Sequence, residues 1–197
     1  MKTHLLVALS LLLVSVANAQ HHPHWGFKGG LNLSDLIYEG NTNPDIKPSV
    51  YLGALAHVHL SRHFALQPEL YFSAQGASFD ANPDYKINLS YINLPILVQF
   101  MAGTGFRLQT GPQIGGLLSA KNKKGNTSTD IKDNLNKIDF SWAFGASYVS
   151  NSGLGFDARY NLGISNVNEN NNNKIRNSVI QLGLFYQLRV SSSDRRR

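Results

Sequence analysis

The sequence predicts an all-β protein, an eight-stranded antiparallel up-and-down transmembrane β-barrel. Between residues 25 and 190, eight stretches alternate apolar side chains with polar or small ones. A period of two indicates β-strands with two chemically different faces, and a length of about 11 residues suits a tilted strand that crosses a bilayer. The connections alternate between short and long, as they do in barrels that span a membrane.

The strands follow from the parity of the apolar residues, that is, from whether they take the odd-numbered or the even-numbered positions of a stretch. In the last strand, for example, Ile180, Leu182 and Leu184 alternate with Gln181 and Gly183. The predicted strands cover residues 25–36, 50–60, 64–75, 86–100, 106–117, 138–149, 154–164 and 179–190. The short connections are residues 61–63, 101–105 and 150–152, and the long ones are 37–49, 76–85, 118–137 and 165–178. Short turns are typical of the periplasmic side, so both termini are predicted to be periplasmic.

The 197 residues suffice for one barrel domain. Residues 1–19 have the pattern of a secretory signal peptide, with Lys2, an apolar run and the sequence Ala17-Asn18-Ala19 at the cleavage site. The apolar run is shorter than the roughly 20 residues of a spanning helix. We therefore expect a barrel domain at 20–190 and a polar, basic periplasmic tail at 191–197. Without cysteine there is no disulfide framework.

Alternation alone leaves open whether the apolar face contacts lipid or forms the core of a soluble, lipocalin-like ligand-binding barrel. Glycine favours the first alternative. Small residues suit the crowded interior of an eight-stranded barrel, whereas a solvent-facing strand gains nothing from glycine. The glycines that share the polar face are Gly30, Gly53, Gly111, Gly115, Gly145, Gly155, Gly163 and Gly183.

Aromatic residues on the apolar face point to the same orientation. They recur at the short-turn end of seven strands, which predicts a girdle at one membrane interface. The predicted girdle consists of Phe27, Phe64, Phe100, Phe106, Tyr148, Phe156 and Tyr186.

Several segments resemble a known family of barrels. They are LQPELYFSAQG, YINLPILVQF, LQTGPQIGGLL, FGASY, LGFDARYNLGISNV and NSVIQLGLFYQL. Their order is similar to that in the outer membrane protein beta-barrel domain family, which includes PorT-like proteins of Gram-negative bacteria. The resemblance implies a barrel in the outer membrane. PorT itself is associated with a protein secretion apparatus, so the resemblance implies that association as an alternative role.

An eight-stranded barrel is just wide enough to be filled by its own side chains, so a general diffusion pore is not expected. Charged residues on the polar face are predicted to form an interior network, because an unpaired buried charge costs several kcal/mol. The predicted network comprises Lys28, Glu69, Arg107, Asp139, Asp157 and Arg159. We expect a structural or interaction role through the extracellular loops. The alternative is a component of a protein secretion apparatus or a narrow conduit.

The sequence indicates no cofactor and no catalytic residues. His57 and His59 share a strand face, but no third, acidic metal ligand is evident near them. His22 would be the third residue of the mature chain and could help to bind copper or nickel with a free amine on Gln20, but an N-terminal glutamine tends to cyclise and remove that amine. A lipid-modifying enzyme would need a histidine-activated serine. Pairing His57 or His59 with Ser73 or Ser90 has no spacing motif behind it, so no enzyme is predicted.

The formal charge of +6 bears on the partners of the chain. Nucleic acid is a poor match for an exported protein. Lys121, Lys123 and Lys124 are expected to be solvated charges of a loop, and the alternative is that they meet anionic headgroups of the outer leaflet. The expected partners are the lipid bilayer, its outer-leaflet headgroups and a possible protein of the cell envelope.

Overall fold

The computed structural model describes residues 23–38, 45–79, 85–167 and 175–188. The strands in these ranges are β1 (His24–Tyr38), β2 (Lys47–His59), β3 (Phe64–Ser78), β4 (Tyr85–Ala102), β5 (Phe106–Lys124), β6 (Thr127–Asp130), β7 (Ile138–Val149), β8 (Leu154–Gly163) and β9 (Ile175–Gln187). A short 3-10 helix (Lys132–Asn134) follows β6. The predicted signal peptide and the predicted tail at 191–197 lie outside the described residues. No helix within the described ranges is long and apolar enough to cross a membrane.

Eight of the strands close into a ring. Sequential neighbours pair antiparallel, β1 pairs with β9, and β4 pairs with β5 as well as with β3. The short strand β6 pairs with β5 and stands outside the ring. The predicted eight-stranded antiparallel barrel is therefore confirmed.

The fifth strand differs most from its prediction. It continues to Lys124 and folds back through Gly125 and Asn126 into β6, so the expectation of a loop over 118–137 is wrong for this segment. Gly125 has a φ of +55°, which a two-residue hairpin turn with glycine at its first central position requires. Lys121, Lys123 and Lys124 therefore lie in a strand and not in a loop.

The barrel has two unlike ends. The short-turn end carries the tight connections at residues 60–63, 103–105 and 150–153. The long-loop end carries the β5-β6 hairpin (residues 117–130), which extends past the last partner of β5 in β7, where Gly116 lies opposite Ile138.

The side chains alternate as the sequence predicts, with the polar set inside. In β9, Gln181 is fully buried, whereas Leu182 is 47% exposed. The same alternation places most large apolar side chains of all eight ring strands on the outer surface. The soluble, lipocalin-like alternative is wrong, because it requires the apolar face to line the interior.

One irregularity in the ladder sets the faces of the β5-β6 hairpin. Pro95 donates no ladder bond, but the β4-β5 register is the same on both sides of it and shifts instead between Ser90 and Tyr91. Leu117 pairs with Tyr91 and Ser119 with Ser90, so Leu118 is an extra residue. An extra residue reverses parity, and beyond it the even-numbered side chains of β5 face inward.

Candidate functional site

A compact ion cluster occupies the middle of the lumen. Arg159 donates two hydrogen bonds to Glu69, with Nη1 2.8 Å from Oε2 and Nη2 2.9 Å from Oε1. Lys28 Nζ lies 3.2 Å from Glu69 Oε2 and 3.2 Å from Asp157 Oδ2. Arg159 Nη2 is 3.6 Å from Asp157 Oδ2. Two cations and two carboxylates from β1, β3 and β8 thus form a cluster with no net charge.

The four charged side chains of the cluster are buried, so each charge depends on its ion-pair partners within the lumen. The four side chains are at most 3% exposed, so none of the charges is solvated by bulk water. Gln67 Nε2 donates to Glu69 Oε1 at 2.8 Å, and Tyr51 Oη donates to Asp157 Oδ1 at 3.4 Å. The ammonium of Lys28 also lies 5.3 Å from the centre of the Tyr51 ring, within the range of a cation–π contact.

The two other charged residues of the predicted network stand apart from this cluster. Arg107, at the short-turn end, donates to Gln187 Oε1 at 3.1 Å, and its Nη1 is 3.5 Å from His57 Nδ1. Asp139, towards the long-loop end, accepts hydrogen bonds from Ser165 and from Asn177. Both are buried. The structure thus joins Lys28, Glu69, Asp157 and Arg159 and places Arg107 and Asp139 at different levels.

Glycine makes room for the large side chains of the lumen. The Tyr51 hydroxyl occupies the space where a Cβ on Gly183 would be, and the Phe185 ring occupies the same space at Gly155. Tyr51 and Phe185 are both buried. At these two positions a small residue on one strand therefore complements a large one on another. At the inner glycines Gly30, Gly53, Gly111, Gly145 and Gly163, a Cβ would instead meet a backbone carbonyl oxygen of the neighbouring strand.

Uncharged polar side chains form the next level of the lumen. Tyr71 Oη donates to Gln113 Oε1 at 2.6 Å, and Gln113 Nε2 donates to Ser141 Oγ at 3.0 Å. Gln181 Nε2 donates to Asn32 Oδ1 at 2.9 Å. Gln113 and Ser141 are direct partners on adjacent strands, as are Asn32 and Gln181, whereas the bond between Tyr71 and Gln113 passes over β4 inside the lumen.

Beyond this level the lumen becomes apolar. A buried cluster at the long-loop end contains Leu36, Ala77, Leu89, Tyr91, Leu117 and Ala120. Ile131 and Leu135, on either side of the 3-10 helix, pack against it. Parity predicts that these positions face inward, except for Ala120, which follows the extra residue in β5. Parity does not predict an apolar level there. The signal that marks it is a run of apolar residues at inward positions near the loops.

The seven aromatic residues of the predicted girdle all lie on the outer surface and are between 40% and 63% exposed. Several are direct cross-strand neighbours, since Phe27 pairs with Tyr186 and Phe64 with Phe100. The Phe64 and Phe100 rings are 5.5 Å apart. The Tyr148 and Phe156 rings are 5.9 Å apart. The set thus follows the outer wall near the short-turn end.

Histidines line the lumen at the short-turn end. His57 and His59 have ring centres 4.6 Å apart, and His24 lies 5.8 Å from His59. Within the described ranges, no group of three or more His, Cys, Asp or Glu side chains is arranged to hold a metal ion. The third candidate ligand, His22, lies outside these ranges.

The serine–histidine pairs that a lipid-modifying enzyme would need, His57 or His59 with Ser73 or Ser90, do not form. Ser73 pairs with Tyr51, and at about 3.3 Å per residue this lies roughly 20 Å from His57 along β2. Ser73 instead accepts a hydrogen bond from Asn32 at 2.9 Å. Ser90 follows the outward-facing parity of β4.

The long-loop end has an accessible polar crevice of about 280 Å³ on the inner face of the β5-β6 hairpin. It is lined by Tyr85, Asn122, Lys124, Thr127 and Thr129. Tyr85 pairs with Lys124, and Lys124 pairs with Thr127, so these side chains lie on the same sheet face. Asn122 Nδ2 donates to the Tyr85 hydroxyl at 3.0 Å. An aromatic ring, an amide, two hydroxyls and an ammonium are groups that suit a polar, anionic ligand.

Solved structures show the same fold. The attachment invasion locus protein Ail of Yersinia pestis has 14% identity and a TM-score of 0.54, over 85% of this chain and 100% of its own. Neisserial surface protein A has 12% identity and a TM-score of 0.57, over 83% and 97%. Ail in complex with the heparin analogue sucrose octasulfate has 14% identity and a TM-score of 0.52, over 85% and 100%.

Comparison with curated protein sequences finds no match. The model of a protein family, however, matches residues 18–169, which is most of the chain. Its description, together with the outward apolar face and the polar lumen, identifies the environment of the barrel as the outer membrane. The chain belongs to the outer membrane protein beta-barrel domain family.

Proposed function

We propose that this protein is a non-enzymatic cell-surface recognition protein that acts through the long-loop end of its barrel. In this proposal the long-loop end faces the exterior and the short turns face the periplasm, as is usual for outer-membrane barrels. The outward aromatic residues near the short turns then lie at the periplasmic interface, where such side chains are enriched.

The filled lumen is the observation that supports recognition over transport. The ion cluster, the polar level and the apolar cluster follow one another from the middle of the barrel towards the long-loop end. A solute on this path would have to separate Glu69 from Arg159 and then cross packed apolar side chains. Separating a buried ion pair costs several kcal/mol. This favours an interaction role over the narrow conduit.

The inner crevice of the β5-β6 hairpin supports a ligand class. Its Tyr85 ring offers an apolar face for a sugar, its Asn122 and threonine groups offer hydrogen bonds, and Lys124 offers a positive charge. The likeness to Ail, solved with a heparin analogue, adds to this reading. We propose that the crevice binds an acidic or sulfated saccharide.

Binding to immobilised heparin tests the proposal. Cells that display the protein should bind heparin, and Tyr85→Ala or Lys124→Gln should each weaken binding by about tenfold, since a lost charge-assisted hydrogen bond or stacking contact costs about 1.5 kcal/mol. Lys132→Gln, on the 3-10 helix outside the crevice, is the matched control and should bind like the parent. Lack of binding by the parent, or equal binding by all variants, would contradict the assigned ligand class.

Recognition and transport are separated by a second measurement. The purified protein should produce no discrete conductance steps in a planar bilayer. Reproducible steps that disappear when the barrel is unfolded would support the conduit instead. Crosslinking and purification from native membranes would identify a secretion-apparatus partner, if that alternative holds.

A further inference from the structure

We propose that Lys86, Lys121 and Lys123 form a binding site for phosphate groups of the glycolipids in the outer leaflet. The site lies on the outer face of the β5-β6 hairpin and the adjoining part of β4. It is thus on the opposite face of the sheet from the saccharide crevice, and it concerns the surrounding membrane rather than a ligand in solution.

The register of β4 and β5 places these lysines together. Lys86 lies directly opposite Lys123, and Asn88 lies directly opposite Lys121. The register shift between Ser90 and Tyr91 gives Lys121 and Lys123 the outward parity that Lys86 already has in β4. All three lysines are exposed. Without the extra residue in β5, Lys121 and Lys123 would face inward and the three charges would be divided between two faces.

Electrostatics indicates that the three lysines form no ion pair with a carboxylate among the described residues. Like charges directly opposite each other destabilise a sheet, yet no described carboxylate lies within 4.0 Å of the three ammonium groups. Among the described residues, the nearest acidic position by register is Asp130, opposite Lys121 on β6. The Asp130 Oδ1 atom accepts a hydrogen bond from the backbone N–H of Lys132 at 2.8 Å. A ligand anion would therefore relieve the repulsion between Lys86 and Lys123.

The height of the lysines matches the headgroup layer. The exposed apolar residues of β4 end with Leu94 and Ile92, and Leu118 is the last on β5. Polar Ser90 and Asn88 follow, and then Lys86. At about 3.3 Å per residue and a tilt near 45°, Asn88 and its partner Lys121 lie roughly 9 Å above Ile92. Lysine side chains can reach several ångströms towards such a boundary.

Continuity with the apolar wall favours a lipid as the occupant. The three lysines stand above side chains that contact acyl chains, so one glycolipid can bury its chains against Ile92 and Leu94 and place its phosphates against Lys86, Lys121 and Lys123. A saccharide in solution would use the charges but not the apolar wall. Bacterial lipid A carries phosphates directly above its acyl chains and has the required chemistry.

Lipid binding to the purified, folded protein tests the proposal. The probes are bisphosphorylated lipid A and the same lipid after removal of its phosphates, each titrated in neutral detergent and followed by native mass spectrometry. One lysine near an anionic surface changes affinity about fivefold, so the triple variant K86Q/K121Q/K123Q should bind bisphosphorylated lipid A about 100-fold more weakly. The parent should bind dephosphorylated lipid A with similarly low affinity.

The control variant R62Q/K132Q/K137Q loses the same charge at positions outside the lysine site and should stay within about threefold of the parent. Heat-dependent gel mobility verifies folding, and the single variant K86Q should show a fivefold loss if the triple variant folds poorly. Equal binding of lipid A by the test and control variants would overturn the proposal. So would equal binding of phosphorylated and dephosphorylated lipid, or loss of heparin binding with lipid A binding unchanged.

Discussion

Replacing Glu69 by Gln tests the role of the ion cluster in barrel stability. Glu69 accepts two hydrogen bonds from Arg159, at 2.8 and 2.9 Å, and lies 3.2 Å from Lys28. The substitution keeps the shape of the side chain but leaves two buried cations with Asp157 as their one carboxylate within the cluster. Removing one partner of a buried ion pair costs about 3–5 kcal/mol. We expect a loss of that size in the free energy of unfolding.

Urea unfolding in lipid vesicles, followed by tryptophan fluorescence, measures this loss. Asp133→Asn removes an exposed carboxylate next to β6 and is expected to change the free energy by less than about 0.5 kcal/mol. The double variant E69Q/K28M restores neutrality, because Arg159 then faces Asp157. It should be destabilised by less than the sum of its two single variants. A Glu69→Gln effect no larger than that of Asp133→Asn would refute the reasoning.

Three further predictions concern packing and orientation. Gly183→Ala should destabilise the barrel by about 1–3 kcal/mol, because the new Cβ would overlap the Tyr51 hydroxyl. In the control variant Gly116→Ala, the atom nearest to the new Cβ is 3.4 Å away, so the expected loss is less than about 1 kcal/mol. Urea unfolding measures both losses. Trp142 faces outward and is 38% exposed. In a Trp25→Phe background, bilayers of brominated lipid should therefore quench its fluorescence. Fluorescence that is not quenched would place Trp142 in the lumen. Replacing Phe64 and Phe100 together by Ala should destabilise the barrel by about 0.5–1.5 kcal/mol less than the sum of the single variants, because each single variant already loses the contact between rings that are 5.5 Å apart. Strict additivity would show that the two rings do not interact.

The sequence predicts the eight-stranded ring well because each strand has one lipid-facing and one interior face. Alternation such as Ile180-Gln181-Leu182 determines the register, since a slip by one residue would turn every side chain to the other face. The sequence does not predict the β5-β6 hairpin, because Lys121, Lys123 and Lys124 belong to a segment without apolar alternation. The local signal was Gly125-Asn126, a pair typical of a two-residue hairpin turn.

Parity identifies inward-facing charges but not their heights along the barrel. Height depends on the stagger between strands, which places Arg159 opposite Gln181 and Asp139 opposite Gly115. The ion cluster therefore contains Arg159 and not Asp139, although both face the lumen. The sequence does not predict the parity reversal at Leu118 either, because a single extra residue cannot be recognised in a polar segment that lacks apolar alternation.

The most direct test of the central claim, an apolar wall around a polar lumen, is the accessibility of neighbouring residues on one strand. The chain has no cysteine, so single nitroxide labels can be placed at positions 180, 181 and 182 of β9 in lipid vesicles. Electron paramagnetic resonance should then show high collision rates with oxygen for the labels at 180 and 182 and a low rate at 181, because oxygen concentrates in the bilayer core. The opposite alternation, or equal rates at all three positions, would contradict the claim.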